Sequence, residues 1–287
     1  MSYMHIDNLY KNQTILLFKE CYAMEKIHGT SAHISWQDGK VTLSSGGASG
    51  PAFAALFDVE FLAEKFTEIF GSSLHVVVFG EAYGGKMQNM SATYGPDLRF
   101  IVFEVKVDDT WLNVLNANDV ANKLGLEFVY YVKIPAMIET INFECNTKSV
   151  QAFRNGMGEG HNREGIVLRP LIEVTTSNGN RIISKHKNKE FAEVKTPRVV
   201  GEKVKILRKA EAIANEWVTA RRLEHVLQQI SECNSPKDTK LVIQTMVEDI
   251  LREGRNEIED TQSARKAIGK KTASMWIQHL YNCKRLQ

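Results

Sequence analysis

The sequence predicts an α+β fold in two parts, with antiparallel sheets flanked by helices over residues 1–200 and a small all-helical domain over residues 201–287. The first part alternates short runs of β-branched and aromatic residues with occasional helical segments. Beyond about Pro197 the chain changes to longer stretches of strong helix formers. A length of 287 residues is enough for one large and one small hydrophobic core.

The first expected sheet element is a hairpin. Apolar and polar residues alternate between Ser31 and Trp36, and Asp38-Gly39 offers a two-residue turn into the next apolar run at residues 41–43. An amphipathic helix is expected over residues 54–70, and a short helix over residues 119–124 with Gly125 as its end. Further strands are expected at residues 74–80, 100–107, 165–169 and 181–185.

The second part is expected to contain three helices, over residues 210–227, 239–251 and 263–281. Ser235-Pro236 and Gly254 separate them, since proline and glycine interrupt helices. The segment 203–287 has sixteen Lys or Arg against eleven acids. This domain is therefore predicted to contact a nucleic-acid backbone, although a packing domain that merely covers a pocket fits equally well.

Composition indicates an ordinary globular protein. Apolar residues make up 43% and charged residues 24%, and no apolar run approaches the ~20 residues of a membrane span. The first residues lack the basic start and apolar core of a signal peptide, so a cytoplasmic location is expected, in the host cytoplasm if the protein is phage-encoded. Four widely spaced cysteines argue against a structural zinc site or a disulfide framework.

The net charge of +2 conceals one strongly basic segment. Residues 181–209 contain ten Lys or Arg against three acids, a local charge of +7. Such a run is commonly a solvated face. If neighbouring motifs concern nucleotides or nucleic acid, phosphate neutralisation becomes the better interpretation.

Lys26 is the main candidate for a catalytic nucleophile. It belongs to a Lys-x-x-Gly pattern within residues 25–30, but the same pattern recurs at residues 266–269. The two differ in context, because Lys26 ends a strand-like run whereas Lys266 lies inside a helix-like segment. A free lysine has a pKa near 10.4, so a nucleophilic lysine needs nearby cations or burial to become neutral. Arg169, Lys185 and Lys187 are candidates for these cations, and the last two would share one face of a strand.

Acidic and aromatic residues at strand ends supply the remaining groups of a nucleotide site. Glu81, Glu104 and Glu164 each follow or begin an apolar strand. Carboxylates in such positions can bind ribose hydroxyls or hold Mg²⁺. Phe103 could lie flat against a purine, although a core phenylalanine is the simpler interpretation for that residue alone.

Five of these segments, in this order, resemble the motifs of the covalent nucleotidyltransferase superfamily, and more narrowly the RNA ligase 2-like family of ATP-dependent polynucleotide ligases. The matching segments are residues 25–30, 78–81, 100–104, 164–169 and 183–188. Histidine at position 28 is typical of this family, where most DNA ligases carry aspartate. The resemblance implies a nucleotidyltransferase domain over residues 1–200 and an ATP-dependent RNA ligase that joins 3′-hydroxyl and 5′-phosphate ends through lysyl-AMP, with Mg²⁺ or Mn²⁺.

The resemblance also implies a role for each matching position. Lys26 would attack the α-phosphate of ATP, and His28 would aid the attack or orient pyrophosphate. The other expected site residues are Glu25 and Ile27 beside the lysine, Glu81 for the ribose, Phe103 and Val167 for the two faces of adenine, Lys185, Lys187 and Arg169 for phosphates, and Glu164 and Glu104 for metal.

Four positions depart from the family pattern. Ser31 stands for a common asparagine, Ser45 lies where an arginine is common, Glu104 replaces aspartate and Arg169 replaces lysine. The expected partners are RNA ends in a nicked or bridged duplex, with no membrane and no obligate protein partner. Two alternatives stay open. The first is a ligase of nicks in DNA or DNA/RNA hybrids, which the motifs do not exclude. The second, which follows from these departures, is a nucleic-acid end-binding protein that adenylates but seals poorly.

Overall fold

The computed structural model describes residues 3–196, 198–201, 205–230 and 233–285. The chain divides into two compact units, Met1–Asn188 and Lys189–Gln287. This division falls about a dozen residues before the sequence-based boundary at residue 200, and residues 202–204, next to that boundary, lie outside the described part. The first unit contains two antiparallel sheets with flanking helices, which confirms the predicted fold class.

Within the described residues the first unit has nine strands. They are β1 Glu20–Lys26, β2 Thr30–Gln37, β3 Lys40–Ser45, β4 Val76–Gly84, β5 Leu98–Val107, β6 Thr110–Trp111, β7 Tyr131–Pro135, β8 Gly165–Pro170 and β9 Ser184–Lys187. One sheet has the order β7-β1-β8-β9 and the other the order β3-β2-β4-β5-β6. Residues of both sheets contribute to one hydrophobic core.

The described helices of this unit are short. They are α1 Gly50–Ala54, α2 Val59–Phe70, α3 Ser91–Tyr94, α4 Val114–Lys123, α5 Ile138–Cys145 and α6 Val150–Arg154. The helix expected over residues 54–70 is broken, because the Asp58 side chain accepts a hydrogen bond from Phe61 N and starts a new helix. The expected hairpin is present, with positive φ at Asp38 (50°) and Gly39 (73°), as a tight two-residue turn requires.

The second unit is helical in its described part, with α7 Ala210–Trp217, α8 Ala220–Gln229, α9 Thr239–Glu253 and α10 Gln262–Arg285. The helix expected over residues 210–227 is two helices, because Val218 is extended and Thr219 caps α8. Arg222 and Asp249 form a buried ion pair at 2.5 Å beside the apolar core of this unit. In the described part of the chain, no helix combines the length and apolarity needed to cross a membrane.

Candidate active site

Three neighbouring strands align the predicted catalytic lysines in one row. In the four-stranded sheet Lys26 of β1 pairs with Gly165 of β8, and Gly165 pairs with Lys187 of β9. Directly opposed residues point to the same face of a sheet, so the two lysines share a face. Gly165 leaves no room for a side chain between them, since an added Cβ would lie 2.2 Å from the His186 carbonyl oxygen.

The buried carboxylate of Glu164, just before β8, connects this row. Its Oε2 lies 2.8 Å from Lys26 Nζ and 3.3 Å from His28 Nδ1, and its Oε1 lies 3.0 Å from Lys187 Nζ. Only 1% of the Glu164 side chain is exposed, whereas Lys26 is 24% exposed and therefore accessible to a substrate. Three residues predicted as catalytic, Lys26, His28 and Lys187, therefore contact a fourth, Glu164.

The Glu164 carboxylate is held ionised by its neighbours. Burial by itself would raise its pKa, but the charges of Lys26 and Lys187, together with His28, outweigh burial and hold the pKa of Glu164 well below its ordinary value of 4.5. A carboxylate with so low a pKa is a weak base. Its contribution is therefore fixed negative charge and positioning, and not removal of a proton from Lys26.

Gly29 brings Lys26 close to Glu81 of β4. An added Cβ at Gly29 would lie 2.3 Å from the Ala82 carbonyl oxygen, so only glycine allows this approach. The Gly29 amide donates a hydrogen bond of 3.1 Å to Glu81 Oε1. The glycine of the Lys-x-x-Gly pattern therefore couples the β1 end to the carboxylate expected to bind ribose.

Glu81 itself titrates near neutrality. Burial raises its pKa from the ordinary value of 4.5 to about 7, with Glu164 adding to the rise, while Lys26 and the Gly29 amide oppose it. The two carboxylates of the site therefore differ in protonation at neutral pH. Separated pKa values of this kind are frequent at functional sites.

His28 is fixed from two sides. Its backbone N–H donates to the Tyr94 hydroxyl at 3.3 Å, while its ring faces Glu164. Burial raises the pKa of Tyr94 well above its ordinary value, so its hydroxyl stays protonated. Tyr94 supports the loop after β1, and no sequence pattern indicated this role.

The two residues expected to enclose adenine belong to the two sheets. Val167 lies between Met24 and Lys185 in the row next to Lys26, on the same face. Phe103 is the extra residue of a β-bulge, because Phe79 pairs with Glu104 and Gly80 pairs with Val102. Phe103 and Val167 are both partly buried against the main core, and Tyr3 contacts the Phe103 ring edge-on at 5.0 Å. Their contact with a base remains a prediction.

Glu104 and Arg169 lie in a separate charged cluster, which corrects two predictions. Glu104 is 1% exposed and is contacted by Arg169 at 2.9 Å, by Arg181, and by the Tyr3 hydroxyl. Glu173 contacts both arginines as well. The arginines that contact its oxygens are themselves buried, with side chains 1% and 4% exposed, so Glu104 is not positioned to bind metal. The buried Arg169 is likewise not positioned to bind a phosphate. Glu104 and Arg169 form a buried structural ion pair in this protein.

The side chains of Glu25 and Ile27 also point away from the lysine. The Glu25 carboxylate accepts hydrogen bonds from Ser149 Oγ at 2.6 Å, Val150 N at 3.0 Å and Gln151 N at 3.2 Å, at the start of α6. Ile27 is 3% exposed and belongs to the main core. These side chains support the strand end, so a direct contact with a cofactor could come only from their main-chain atoms.

Lys185 is held through its backbone by the N-terminal segment. Its N–H donates to the Asp7 carbonyl at 2.9 Å, and its carbonyl accepts from Leu9 N at 2.8 Å. The side chain is 8% exposed and lies on the same face as Lys187, two residues along β9. No sequence pattern indicated that residues 7–9 would support this strand. The expected role of Lys185 in binding phosphates remains a prediction.

Ser31 and Ser45, where the family pattern is broken, are near one another. Ser31 pairs with Glu81, and its carbonyl accepts a hydrogen bond of 2.9 Å from Gly46 N. Ser45 pairs with Ala32 on the adjacent strand. Opposed residues share a face and successive residues alternate, so the Ser31 side chain lies on the Glu81 face of the sheet, whereas the Ser45 side chain lies with Ala32 on the other face. At position 31 the amide common in the family is therefore missing beside the carboxylate expected to bind ribose.

Two antiparallel sheets with a lysine at the end of a central strand define a fold of the nucleotidyltransferase type. A variant of the Naegleria gruberi RNA ligase with AMP and Mn matches at 12% identity and a TM-score of 0.52, over 67% of this chain and 57% of that chain. Another variant with ATP and Mn matches at 14% identity and a TM-score of 0.51, with the same coverage of 67% and 57%. The ligase with PPi matches at 13% identity and a TM-score of 0.51, again over 67% and 57%. Identities this low show a shared fold alone.

The family itself is established by sequence. A model of the RNA ligase family matches residues 19–187, which is more than half of the chain. The protein therefore belongs to the RNA ligase family, as the five motifs predicted. The match covers 57% of the length of the Naegleria ligase variant.

Proposed function

We propose that this protein is an ATP-dependent RNA ligase that joins 3′-hydroxyl and 5′-phosphate ends through a covalent lysyl-AMP at Lys26. The observation that carries the proposal is the convergence of Lys26, His28 and Lys187 on Glu164, at 2.8, 3.3 and 3.0 Å. Phosphoryl-transfer sites combine an accessible nucleophile with fixed charges around it, and this site has both.

In the first step the neutral amine of Lys26 attacks the α-phosphorus of ATP. A nitrogen–phosphorus bond forms, the bond from the α-phosphorus to its bridging oxygen breaks, and pyrophosphate leaves while Nζ loses its proton. In the second step an oxygen of an RNA 5′-phosphate attacks the AMP phosphorus and Lys26 leaves. In the third step a 3′-hydroxyl attacks the activated 5′-phosphate and AMP leaves with the electron pair.

Lys187 and Lys185 supply positive charge for the phosphates in this proposal. The Lys187 side chain is 16% exposed and lies on the Lys26 face, so its Nζ can exchange Glu164 for a phosphate oxygen. Glu81 would accept a hydrogen bond from a ribose hydroxyl, and Phe103 and Val167 would contact adenine. These assignments follow the family resemblance. Lys185, Lys187 and Val167 share the Lys26 face of the four-stranded sheet, whereas Glu81 and Phe103 belong to the five-stranded sheet.

The carboxylates of the site suit a hard divalent cation. Glu164 is ionised, and Mg²⁺ commonly takes one or two carboxylates together with phosphate and water oxygens. Among the described residues no group of three or more His, Cys, Asp or Glu side chains forms a ready-made metal site. Glu164 would therefore hold Mg²⁺ or Mn²⁺ together with the nucleotide, and the ion would neutralise phosphate charge when bound.

Formation of the lysyl-AMP adduct tests the proposal. The protein is incubated with α-labelled ATP and Mg²⁺, then denatured and separated by electrophoresis. A labelled band that persists in Lys133→Ala and is absent from Lys26→Ala is the expected result. Lys133 is a matched control, since it lies in the same sheet and its side chain is 51% exposed. Among the described residues it forms an ion pair only with Glu20. An unlabelled, folded wild-type protein would refute the proposal.

Nicked duplexes distinguish the alternative substrates. The rate of joining is measured on nicks with RNA or with DNA on the 3′-hydroxyl side. Faster joining of the RNA nick indicates an RNA ligase, and faster joining of the DNA nick indicates a ligase of DNA or hybrid nicks. Adenylated 5′ strand that accumulates without joined product would favour an end-binding protein that seals poorly. The small side chain of Ser31, directly opposite Glu81, favours this second candidate, because it removes an amide group common in the family.

A further inference from the structure

The longest helix of the second unit has an unusual charge composition. Helix α10, Gln262–Arg285, contains six Lys or Arg and no Asp or Glu. It includes the Lys266-to-Gly269 segment that repeats the pattern of the nucleophile. A helix of this length could balance its charges internally, yet it carries none of the acids that would do so.

The two faces of α10 differ in character. The buried face consists of Ala264, Ile268, Thr272 and Trp276, each at most 1% exposed. The opposite face, called here the α10 face, consists of Lys266, Lys270, Ser274, Ile277 and Tyr281. These five residues follow one another at steps of four, four, three and four, so they form a single stripe about 22 Å long.

The stripe combines unpaired charge with exposed apolar surface. Arg265 forms an ion pair with Asp260 at 2.7 Å, but within the described part of the chain Lys266 and Lys270 form none. Tyr281 is 70% exposed and Ile277 is 54% exposed.

We propose that the α10 face binds RNA, with Lys266 and Lys270 on consecutive phosphates and the Tyr281 ring against an unpaired base. Lysines at one-turn spacing match a polyanion, and an exposed aromatic ring stacks on any base. A membrane surface fits less well, because an interfacial helix exposes its broad apolar face, which α10 buries in its own unit. The choice of RNA over another polyanion rests on the proposed function.

Binding of a fluorescently labelled nicked RNA duplex with a single-stranded overhang, followed by anisotropy over a range of salt concentrations, tests this proposal. In the full chain, Lys266→Glu combined with Lys270→Glu is expected to weaken binding at least tenfold and to reduce the slope of log affinity against log salt by about two. The matched control is Lys237→Glu with Lys240→Glu, which changes the same charge on two exposed lysines of the same unit. Tyr281→Ala should weaken binding to the overhang about fivefold and leave the salt slope unchanged.

Lysyl-AMP formation is measured in parallel and should be equal in all these variants. If the control pair loses as much binding, the effect comes from net charge alone and the proposal is overturned. A wild-type affinity in the Lys266/Lys270 pair would also overturn it. Binding to vesicles with anionic lipid that depends on this pair, without RNA binding, would instead assign the face to membranes. Absence of lysyl-AMP in the wild type would refute the proposed ligase function and leave the RNA-binding result standing.

Discussion

Lys26 and Glu164 are 138 residues apart in the chain, and their side chains meet at 2.8 Å. The contact follows from strand register, because Lys26 ends β1 opposite Gly165, the first residue of β8. A buried, ionised carboxylate thereby orients the candidate nucleophile. The same oxygen contacts His28, so a change at Glu164 affects two predicted catalytic groups together.

Glu164→Gln should reduce lysyl-AMP formation by at least about 100-fold, because the amide keeps the shape of the side chain but removes the charge that orders Lys26, His28 and Lys187. The rate is measured by single-turnover labelling with ATP. Glu144→Gln is the control, since it likewise removes the charge of a carboxylate that pairs with a buried cation, Arg163 at 2.7 Å. Equal rates in wild type and Glu164→Gln would contradict the assigned role.

Glu104→Gln should lower the free energy of unfolding by about 3–5 kcal/mol, since Arg169 and Arg181 would lose a buried counter-charge. Urea denaturation measures this loss. The Mg²⁺ concentration that gives half-maximal lysyl-AMP formation should remain that of the wild type, because Glu104 is occupied by Arg169, Arg181 and Tyr3. A large increase in that concentration would restore Glu104 as a metal ligand.

Ser149→Ala should destabilise the protein by about 1 kcal/mol and leave the KM for ATP unchanged. Ser149 caps α6 through Ala152 N at 3.0 Å and donates to Glu25 at 2.6 Å, so its loss weakens the helix start and the Glu25 contact. Thermal denaturation and adenylation kinetics on the same sample provide the two measurements. If the KM for ATP rises severalfold, Glu25 does contribute to the cofactor site.

The raised pKa of Glu81 predicts that the stability of the protein depends on pH. Its pKa is raised from 4.5 in the unfolded chain to about 7 in the folded protein, so the folded state favours the protonated form. Wild type should therefore lose stability as the pH rises from about 5 to about 7, and Glu81→Gln, which cannot ionise, should lose less. Thermal denaturation at several pH values provides the comparison, and parallel curves for the two proteins would count against the raised pKa.

Nucleotide binding should change with pH in the opposite direction. If ionised Glu81 accepts a hydrogen bond from the ribose, the KM for ATP should rise as the pH falls below about 7 and Glu81 becomes protonated. A 2′-deoxy nucleotide should show less of this dependence. A KM for ATP that is constant from pH 6 to pH 8 would argue against the ribose contact.

The hairpin at Asp38-Gly39 shows what local sequence can predict. A two-residue turn with positive φ and an alternating strand are local properties, so they are visible in the sequence. The break between α1 and α2, and that at Thr219, were missed because apolar spacing continues across them while the cap residue decides the backbone.

The sequence by itself determined the fold class, the RNA ligase family and the identity of Lys26, Glu81, Glu164 and Lys187 as candidate site residues, because ordered motifs require particular side chains at particular places. Tertiary structure alone decided which charges meet. Glu104 and Arg169 are charged like the site groups, but they are buried with Arg181 and Glu173. Arg181 contacts Glu104 although 77 residues separate the two in the chain. Ion pairing depends on distance and burial, and both are set by strand register and packing across the whole domain.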